Sequence, residues 1–359
     1  MRRSYALGLG VALFACAAVP AAAQSPWRLQ SPDGTSWVQF GLLAQPQGEW
    51  ITTADGEGTS QNLFLRRLRL IAGGRVTSRI SFFIETDSPN LGKGAASGRK
   101  DESLFLQDAI FTFALRDQLQ IDAGMLLLPL SHNAGQGATT LLAVDYSPWT
   151  FLHSDPTSSR VGRDYGVQAR GYLFSKHLEY RAGAFQGARG GDATAPFRFL
   201  VRGVWYPFDA ETGFFYTGTN LGAQRILAIG ASVDHQDDYT SVGADVYWDW
   251  KLRRGDGVSA QANVVRYDGG ATFPQLARQS AWLVEAGYYV AGPAIGPFVQ
   301  VAGRDPAGGA PGGERKIVGG VAWWGSGHRF NVKAGLGRVT RDGGPGRTQF
   351  VLQGQVYVY

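Results

Sequence analysis

From Trp37 to Tyr359 polar and apolar side chains alternate with a period of two. In RDYGVQARGYL, Tyr165, Val167, Ala169 and Leu173 fall on one face, and Asp164, Gln168, Arg170 and Tyr172 on the other. ISFFIETD sets Ile80, Phe82, Ile84 and Thr86 against Ser81, Phe83, Glu85 and Asp87. SVGADVYWDW sets Val242, Ala244, Val246, Trp248 and Trp250 against Gly243, Asp245, Tyr247 and Asp249. FNVKAGLG does the same with Phe330, Val332, Ala334 and Leu336 against Asn331 and Lys333. Successive side chains of a strand point to opposite faces, so each run predicts a strand with one apolar and one polar face. No convincing helical period interrupts them.

The runs are separated by clusters of Gly, Asp, Pro and Ser, which mark turns. Short joints such as GGRVTS, RDQ, SKH, AGPAIG and GSGH alternate with longer ones such as 52–61, 88–103, 128–160, 187–196, 268–279 and 304–314. Alternating tight turns and long loops is the habit of outer-membrane β-barrels. Counting this way predicts an all-β, antiparallel transmembrane barrel of about sixteen strands, with fourteen or eighteen also open. Two joints fit poorly: Phe208 to Gln224 is long for the short-turn end, and HQDD (235–238) is short for the long-loop end. Trp50, Trp205, Tyr206, Trp248, Trp250, Trp323 and Trp324 lie near segment ends and suit interfacial girdles. A β-sandwich seldom strings so many segments together without a domain break.

Composition agrees with this reading. The 359 residues include 50 Gly, 10 Trp, 14 Tyr and 20 Phe. Mean hydropathy is −0.14, as a barrel allows because only alternate residues meet lipid. MRRSYALGLGVALFACAAVPAAAQ has the charged start, apolar run and Ala-x-Ala ending of a secretory leader, cut after Ala23, which leaves 24–359 as one barrel domain. The one cysteine, Cys16, lies inside that leader, so disulfides and thiolate metal sites are excluded from the rest. The net charge of +5 falls to +3 once Arg2 and Arg3 are removed, with no basic runs of the kind nucleic acid demands.

The stretch NLFLRRLRLIAGG places Arg66, Arg67 and Arg69 among Leu, Phe and Ile. Arg at the lipid midplane costs about 2–4 kcal/mol, so Arg67 and Arg69 are expected to face a wet lumen. Arg66 has the opposite parity and either snorkels to the rim or sits at a bulge. Arg170, Arg181, Arg198 and Arg202 join the expected inner wall, as do Glu85, Asp87, Asp108, Asp122, Asp164 and Glu179. Each guanidinium then either grips passing anions or pairs with an acid and braces the wall. The segment 128–160 is too apolar for a disordered outer loop, with Leu141, Leu142, Val144, Tyr146, Trp149 and Phe151. It is expected to pack inside and narrow the pore, bringing Ser131, His132, Asp145, His153 and Asp155 near the eyelet.

FLRRLRLIAGG followed by ISFFIETD, then SLFLQDAIFTFALRDQLQIDAGMLLLPL, a long loop and RVGRDYGVQARGYLFSKHLEYRAGAFQGARGG, resembles the phosphate-selective porin O/P family. The resemblance runs from about Val38 to Tyr359 and is most specific between Leu63 and Gly191. It implies a sixteen-strand barrel in the outer membrane of a Gram-negative-type bacterium, a third loop folded into the pore, a homotrimer, and a passive channel for small hydrophilic solutes that prefers phosphate-like anions. It implies no cofactor. The chain departs from the family pattern at Leu126-Leu127-Leu128-Pro129-Leu130, where a polar or basic residue usually precedes the Pro. Its outer funnel is also thin in cations, with Lys93, Arg99 and Lys100 in the second loop.

Two other readings compete: a closed barrel serving adhesion or envelope structure, and an outer-membrane hydrolase. Ser131, His132 and Asp145 offer a nucleophile, a base and an acid by proximity alone, with no G-x-S-x-G elbow before them. Five histidines form no H-x-x-x-H metal pattern.

Overall fold

The computed structural model describes residues 27–359 except 54–55, 96–97, 101–102 and 310–311. The expected leader, 1–23, lies outside the described residues. The chain winds up and down through β1 (Trp37–Thr52), β2 (Thr59–Arg75), β3 (Ile80–Asp87), β4 (Phe105–Arg116), β5 (Leu119–Leu127), β6 (Arg163–Leu173), β7 (Leu178–Phe185) and β8 (Arg198–Trp205). It continues through β9 (Arg225–Gln236), β10 (Tyr239–Lys251), β11 (Gly257–Asp268), β12 (Gln279–Tyr289), β13 (Ile295–Pro306), β14 (Glu314–His328), β15 (Phe330–Arg341) and β16 (Arg347–Val358). Each strand pairs antiparallel with the next, and β16 pairs with β1 from Gln349↔Ile51 to Val358↔Leu42. The sixteen strands thus close into a ring, which leaves no open sheet edge.

The alternation read from the sequence is the alternation of the wall. Along β10, Ser241, Asp245, Tyr247 and Asp249 are buried on the inside, while Val242, Val246 and Trp248 are exposed on the outside. Leu70, Phe111, Val167, Phe199, Val264, Ile317 and Leu336 carry the same apolar belt around the barrel. Parity corrects the expected girdle: Trp205, Trp248 and Trp323 do face outward, but their neighbours Tyr206 and Trp324 are buried.

One end carries both ends of the ring, at Trp37 and Val358, and will be called the terminal end; the other is the loop end. Asp237 and Asp238 alone join β9 to β10 at the loop end, so the short joint is real. The long joint 206–224, between β8 and β9, lies at the terminal end and is no turn. It folds up into the lumen, where Tyr206 and Tyr216 pack with Val204, Ile226, Ala228 and Tyr247.

The third loop, 128–162, enters from the loop end and crosses the lumen. Leu128, Leu130 and Trp149 join a buried cluster with Leu200, Tyr239, Val265, Tyr267 and Leu283. Farther along, Leu142, Ala143 and Val144 pack on Phe298, Ala322, Trp324 and Val351. Gly243 admits the loop to the wall, because a Cβ there would lie 2.0 Å from the Leu130 carbonyl oxygen. The apolar run Leu126–Leu130 is thus the anchor of the loop rather than part of a polar eyelet.

Loop and inner segment meet. The Tyr216 amide donates to the Gly135 carbonyl at 2.8 Å, and the Gly137 amide donates to the Tyr216 carbonyl at 2.9 Å. The Thr219 amide donates to the Thr140 carbonyl at 3.1 Å. Backbone groups removed from water need such partners, and here two separate insertions supply them to each other.

Val246 sits in the middle of β10 on the outer face. Val246→Arg is expected to lower the folding free energy in lipid vesicles by about 2–4 kcal/mol, measured by denaturant titration. Full tolerance of the charge would show that this face does not meet hydrocarbon.

Candidate pore lining

The arginine stretch owes its geometry to a bulge. Gln45 pairs with Arg67, but Pro46 pairs with Leu65, so Arg66 is the unmatched residue on β2. Proline has no amide hydrogen to donate, which breaks the ladder at that point and lets the longer strand buckle. Phe64 and Arg67 are both buried although three positions separate them. Arg66 is carried round toward Arg67 instead of reaching the rim. Arg66 Nε donates to Asp145 Oδ2 at 2.6 Å, and Arg67 Nη2 donates to Asp145 Oδ1 at 2.6 Å. Burial alone would raise the Asp145 carboxyl, but the two guanidiniums hold it below the ordinary carboxylate range. One carboxylate on the third loop thus ties that loop to β2.

Below this clasp Arg69 reaches Glu85 at 2.5 Å and Asp87 at 3.0 Å. Arg163 donates through Nε and Nη2 to the two oxygens of Asp108, each at 3.2 Å. Arg170 Nε donates to Asp122 at 2.7 Å. These cations and the Arg66–Arg67 pair line three neighbouring cavities. The first, of about 220 Å³, opens at the loop end between Glu49, Lys93, Asp145, Gln300 and Lys316. The second, of about 300 Å³, shares Arg66, Asp145 and Lys316 with it and reaches down to Arg69 and Arg163. The third, of about 360 Å³, shares Arg69 and Arg163 with the second and extends to Arg170, Phe214, Phe215 and Tyr359 near the terminal end. The open space therefore begins at the loop end between β1–β2 and β13–β16 and continues toward the terminal end against β2 to β6.

The opposite side is filled. Arg198 donates to both oxygens of Asp234 at 2.7 and 2.6 Å, and Arg202 to both oxygens of Asp245 at 2.7 and 2.9 Å. Arg181 donates to Glu179 at 2.6 Å and to the Phe214 carbonyl at 2.8 Å. All three guanidiniums are buried under the third loop or the inner segment. Of the six arginines expected on the inner wall, Arg67, Arg69 and Arg170 border the open cavities, while Arg181, Arg198 and Arg202 are sealed braces. Solvent cannot reach them, so they are not pore-lining groups in this structure.

The loop residues separate in the same way. Ser131 caps the four-residue helix α1 (His132–Gly135), its oxygen accepting from the Ala134 amide at 3.3 Å. His132 is fully buried, 2.8 Å from Glu211, and stacks on Tyr247 with ring centres 4.0 Å apart. His153 is equally buried, and burial with the nearby Arg198 charge pushes its pKa down to about 3. Only Asp145 stands at the open constriction. The triad guess finds no geometry: Asp145 is committed to arginines, His132 to Glu211 and Ser131 to a helix cap. No cluster of His, Cys, Asp and Glu suited to a metal occurs among the described residues.

In the second loop, Lys93 pairs with Glu49 at 2.6 Å, Lys100 donates to the Pro89 carbonyl at 2.6 Å, and Arg99 lies exposed in a small hairpin. Two lining cations were not foreseen. Lys316 is inward because Ile317, its neighbour on β14, is exposed, a parity visible in ERKIVGG. Arg163 opens β6 next to buried Asp164, where alternation has not yet begun, so no pattern marks it.

The family model described as phosphate-selective porin O and P matches residues 52–226, which supports the resemblance. No curated protein matches the chain by sequence. Among solved structures, OmpF of Salmonella typhi in complex with daunomycin is similar with a TM-score of 0.63 at 11% identity, over 91% of this chain and 100% of that one. An anion-selective porin from Comamonas acidovorans gives 0.56 at 12% identity, over 90% and 99%. The trimer form of OmpT, an outer membrane protein of Vibrio cholerae, gives 0.57 at 12% identity, over 90% and 99%. At such identities the likeness shows the fold, a closed sixteen-strand porin barrel; with the family match it supports an outer-membrane diffusion channel.

Removing a sealed brace should cost stability. Arg198→Ala leaves the Asp234 carboxylate buried without its partner and is expected to destabilise the barrel by about 3–5 kcal/mol in denaturant titrations, whereas Arg66→Ala, at the solvated edge of the clasp, costs about 1 kcal/mol or less. Equal losses would contradict the division into sealed and open halves. The contact between the two insertions has its own test. A Cβ on Gly218 would lie 2.5 Å from the Thr140 carbonyl oxygen. Gly218→Val should therefore part the segments and raise single-channel conductance, and unchanged conductance would show that their contact does not set the bore.

Proposed function

We propose that the barrel is a passive outer-membrane channel for small hydrophilic solutes with a preference for anions, phosphate-like ones among them. The observation that carries this reading is the continuity of cationic side chains along the open side. Arg66, Arg67, Arg69, Lys93, Arg163, Arg170 and Lys316 line the three cavities, against Glu49, Glu85, Asp87 and Asp145. Asp108 and Asp122 stand behind Arg163 and Arg170 and bring the acids to six. The balance still favours cations by one, and in a narrow low-dielectric passage such an excess raises the local anion concentration.

The positions of the uncommitted donors support the same reading. Lys316 makes no ion pair within 4 Å among the described residues yet lines two successive cavities. Arg66 spends only Nε on Asp145, so its terminal amino groups remain for a solute. An anion entering from the loop end meets these two groups first. It then passes the clasp and the guanidiniums of Arg69 and Arg163, each exchanging hydration for a hydrogen bond that another cation repeats a few ångströms on. A steep single trap would hold the anion, whereas several graded sites release it. Delivery after removal of the 1–23 leader, residence in outer-membrane lipid and assembly as a homotrimer, as in the trimer form of the similar OmpT, complete the proposal.

In planar bilayers under a KCl gradient, the reversal potential is expected on the anion side, with added phosphate reducing the chloride current. Lys316→Glu should lower the anion-to-cation permeability ratio roughly twofold or more. A cation-side or zero potential would make the arginines partners of the lumenal acids and nothing else, and absence of conductance would favour the closed structural barrel.

A further inference from the structure

The three cavities differ in chemistry along the path. At the loop end the walls carry Gln47, Asn90, Gln300 and Gln349 among the charges, as small hydrated anions require. The cavity at the terminal end is instead lined by Phe83, Phe214, Phe215, Tyr357 and Tyr359 together with Arg170. Plain ion conduction gives no reason for that ring cluster, since apolar walls bind hydrated inorganic ions poorly. The inner segment, whose length exceeds any turn, supplies Phe214 and Phe215.

We infer that this terminal-end cavity is a binding site for small flat aromatic carboxylates, with Arg170 holding the carboxylate and Phe83, Phe214, Phe215 and Tyr359 holding the ring; the inference rests on the anion-channel reading and names a solute class within it. Arg170 donates from Nε to Asp122, and neither of its terminal amino groups makes a hydrogen bond among the described residues. The side chain is nevertheless more than nine-tenths buried, at 9% exposed. A buried guanidinium with two unspent donors in a fixed plane is a ready receptor for the two oxygens of a carboxylate. Phe214 lies 5.7 Å from its central carbon, which holds the fork in place.

The rings are arranged for a further ring. Phe83 meets Phe215 at 5.6 Å and 67°, and Tyr359 at 5.9 Å and 88°, while Phe214 meets Phe215 at 5.1 Å and 76°. All three contacts are edge-to-face, so each pair uses one ring face rather than two, and an aromatic ligand adds offset or T-shaped contacts of the same kind. The cavity, about 360 Å³, lies within the range of small-molecule sites. Glu85 is the one acidic side chain on its wall, and Arg69 neutralises it at 2.5 Å. An aromatic cation is therefore not the matching ligand.

The test is current block in planar bilayers, with benzoate, acetate, cyclohexanecarboxylate and benzylammonium added in turn on the terminal side and the reversal potential in KCl read on the same membranes. Benzoate is expected to half-block at a concentration about fivefold or more below acetate, with cyclohexanecarboxylate between them and benzylammonium without effect. Phe215→Leu, which keeps an apolar side chain but loses the ring, should bring benzoate close to cyclohexanecarboxylate. Arg170→Lys, which keeps the charge and loses the fork, should weaken benzoate block severalfold. An anion-side potential with equal block by benzoate and acetate, or stronger block by benzylammonium, would overturn the aromatic site and leave the anion channel standing. A zero or cation-side potential would overturn the anion channel and this inference together.

Discussion

A ring of sixteen strands encloses more space than its own inward side chains can fill. The lipid outside fixes which residues point in, so the polar half of every strand is delivered to that space whether or not water follows. The structure depends on how the lumen is then divided. Two insertions, 128–162 from the loop end and 206–224 from the terminal end, lock onto each other by backbone hydrogen bonds and close one side. What remains open is the line of three cavities that starts beside β13–β16 and β1 at the loop end and runs down against β2 to β6.

That division gives similar residues different work. An arginine on the filled side is surrounded by protein, so its charge must be matched and its donors satisfied, and Arg198 and Arg202 meet this with fork-to-carboxylate pairs. An arginine on the open side can leave donors to water, as Arg66 and Arg170 do. In the proposed channel, stability and permeation thus draw on one residue type, separated by solvent access. Asp145 belongs to both: it fastens the third loop to β2 and sets the charge of the passage at its upper bend.

Much of the wall was legible in the sequence because a strand has a strict period and lipid tolerates no error in it. Val242, Asp245 and Lys333 all face as alternation requires. Parity also placed Arg67, Arg69 and Arg170 inside. It failed where the backbone leaves the period. Arg66 sits at a bulge created by Pro46, a residue on the neighbouring strand, so its direction depends on a pairing that local sequence does not disclose. The division of the lumen was less visible still. Nothing in the alternation of Arg181, Arg198 and Arg202 distinguishes them from Arg67, because the difference lies in which wall two distant segments cover. The one mark of the second insertion was its length, Phe208 to Gln224 on the short-turn end, which fits a chain that must climb into the lumen and return.

The central claim is that solvent and solutes pass through the three neighbouring cavities, from β13–β16 and β1 at the loop end to β2–β6 at the terminal end, and not through the filled side. It is tested most directly by cysteine accessibility, since the single native cysteine, Cys16, lies in the expected leader. Ser81 borders the terminal-end cavity, whereas Ser241 is fully buried on the filled side. An anionic methanethiosulfonate reagent supplied only from the loop end should traverse the passage, modify Ser81→Cys and reduce the current, while Ser241→Cys stays unreactive. Rapid modification at Ser241→Cys with none at Ser81→Cys would contradict the account and place the pore on the other side of the barrel.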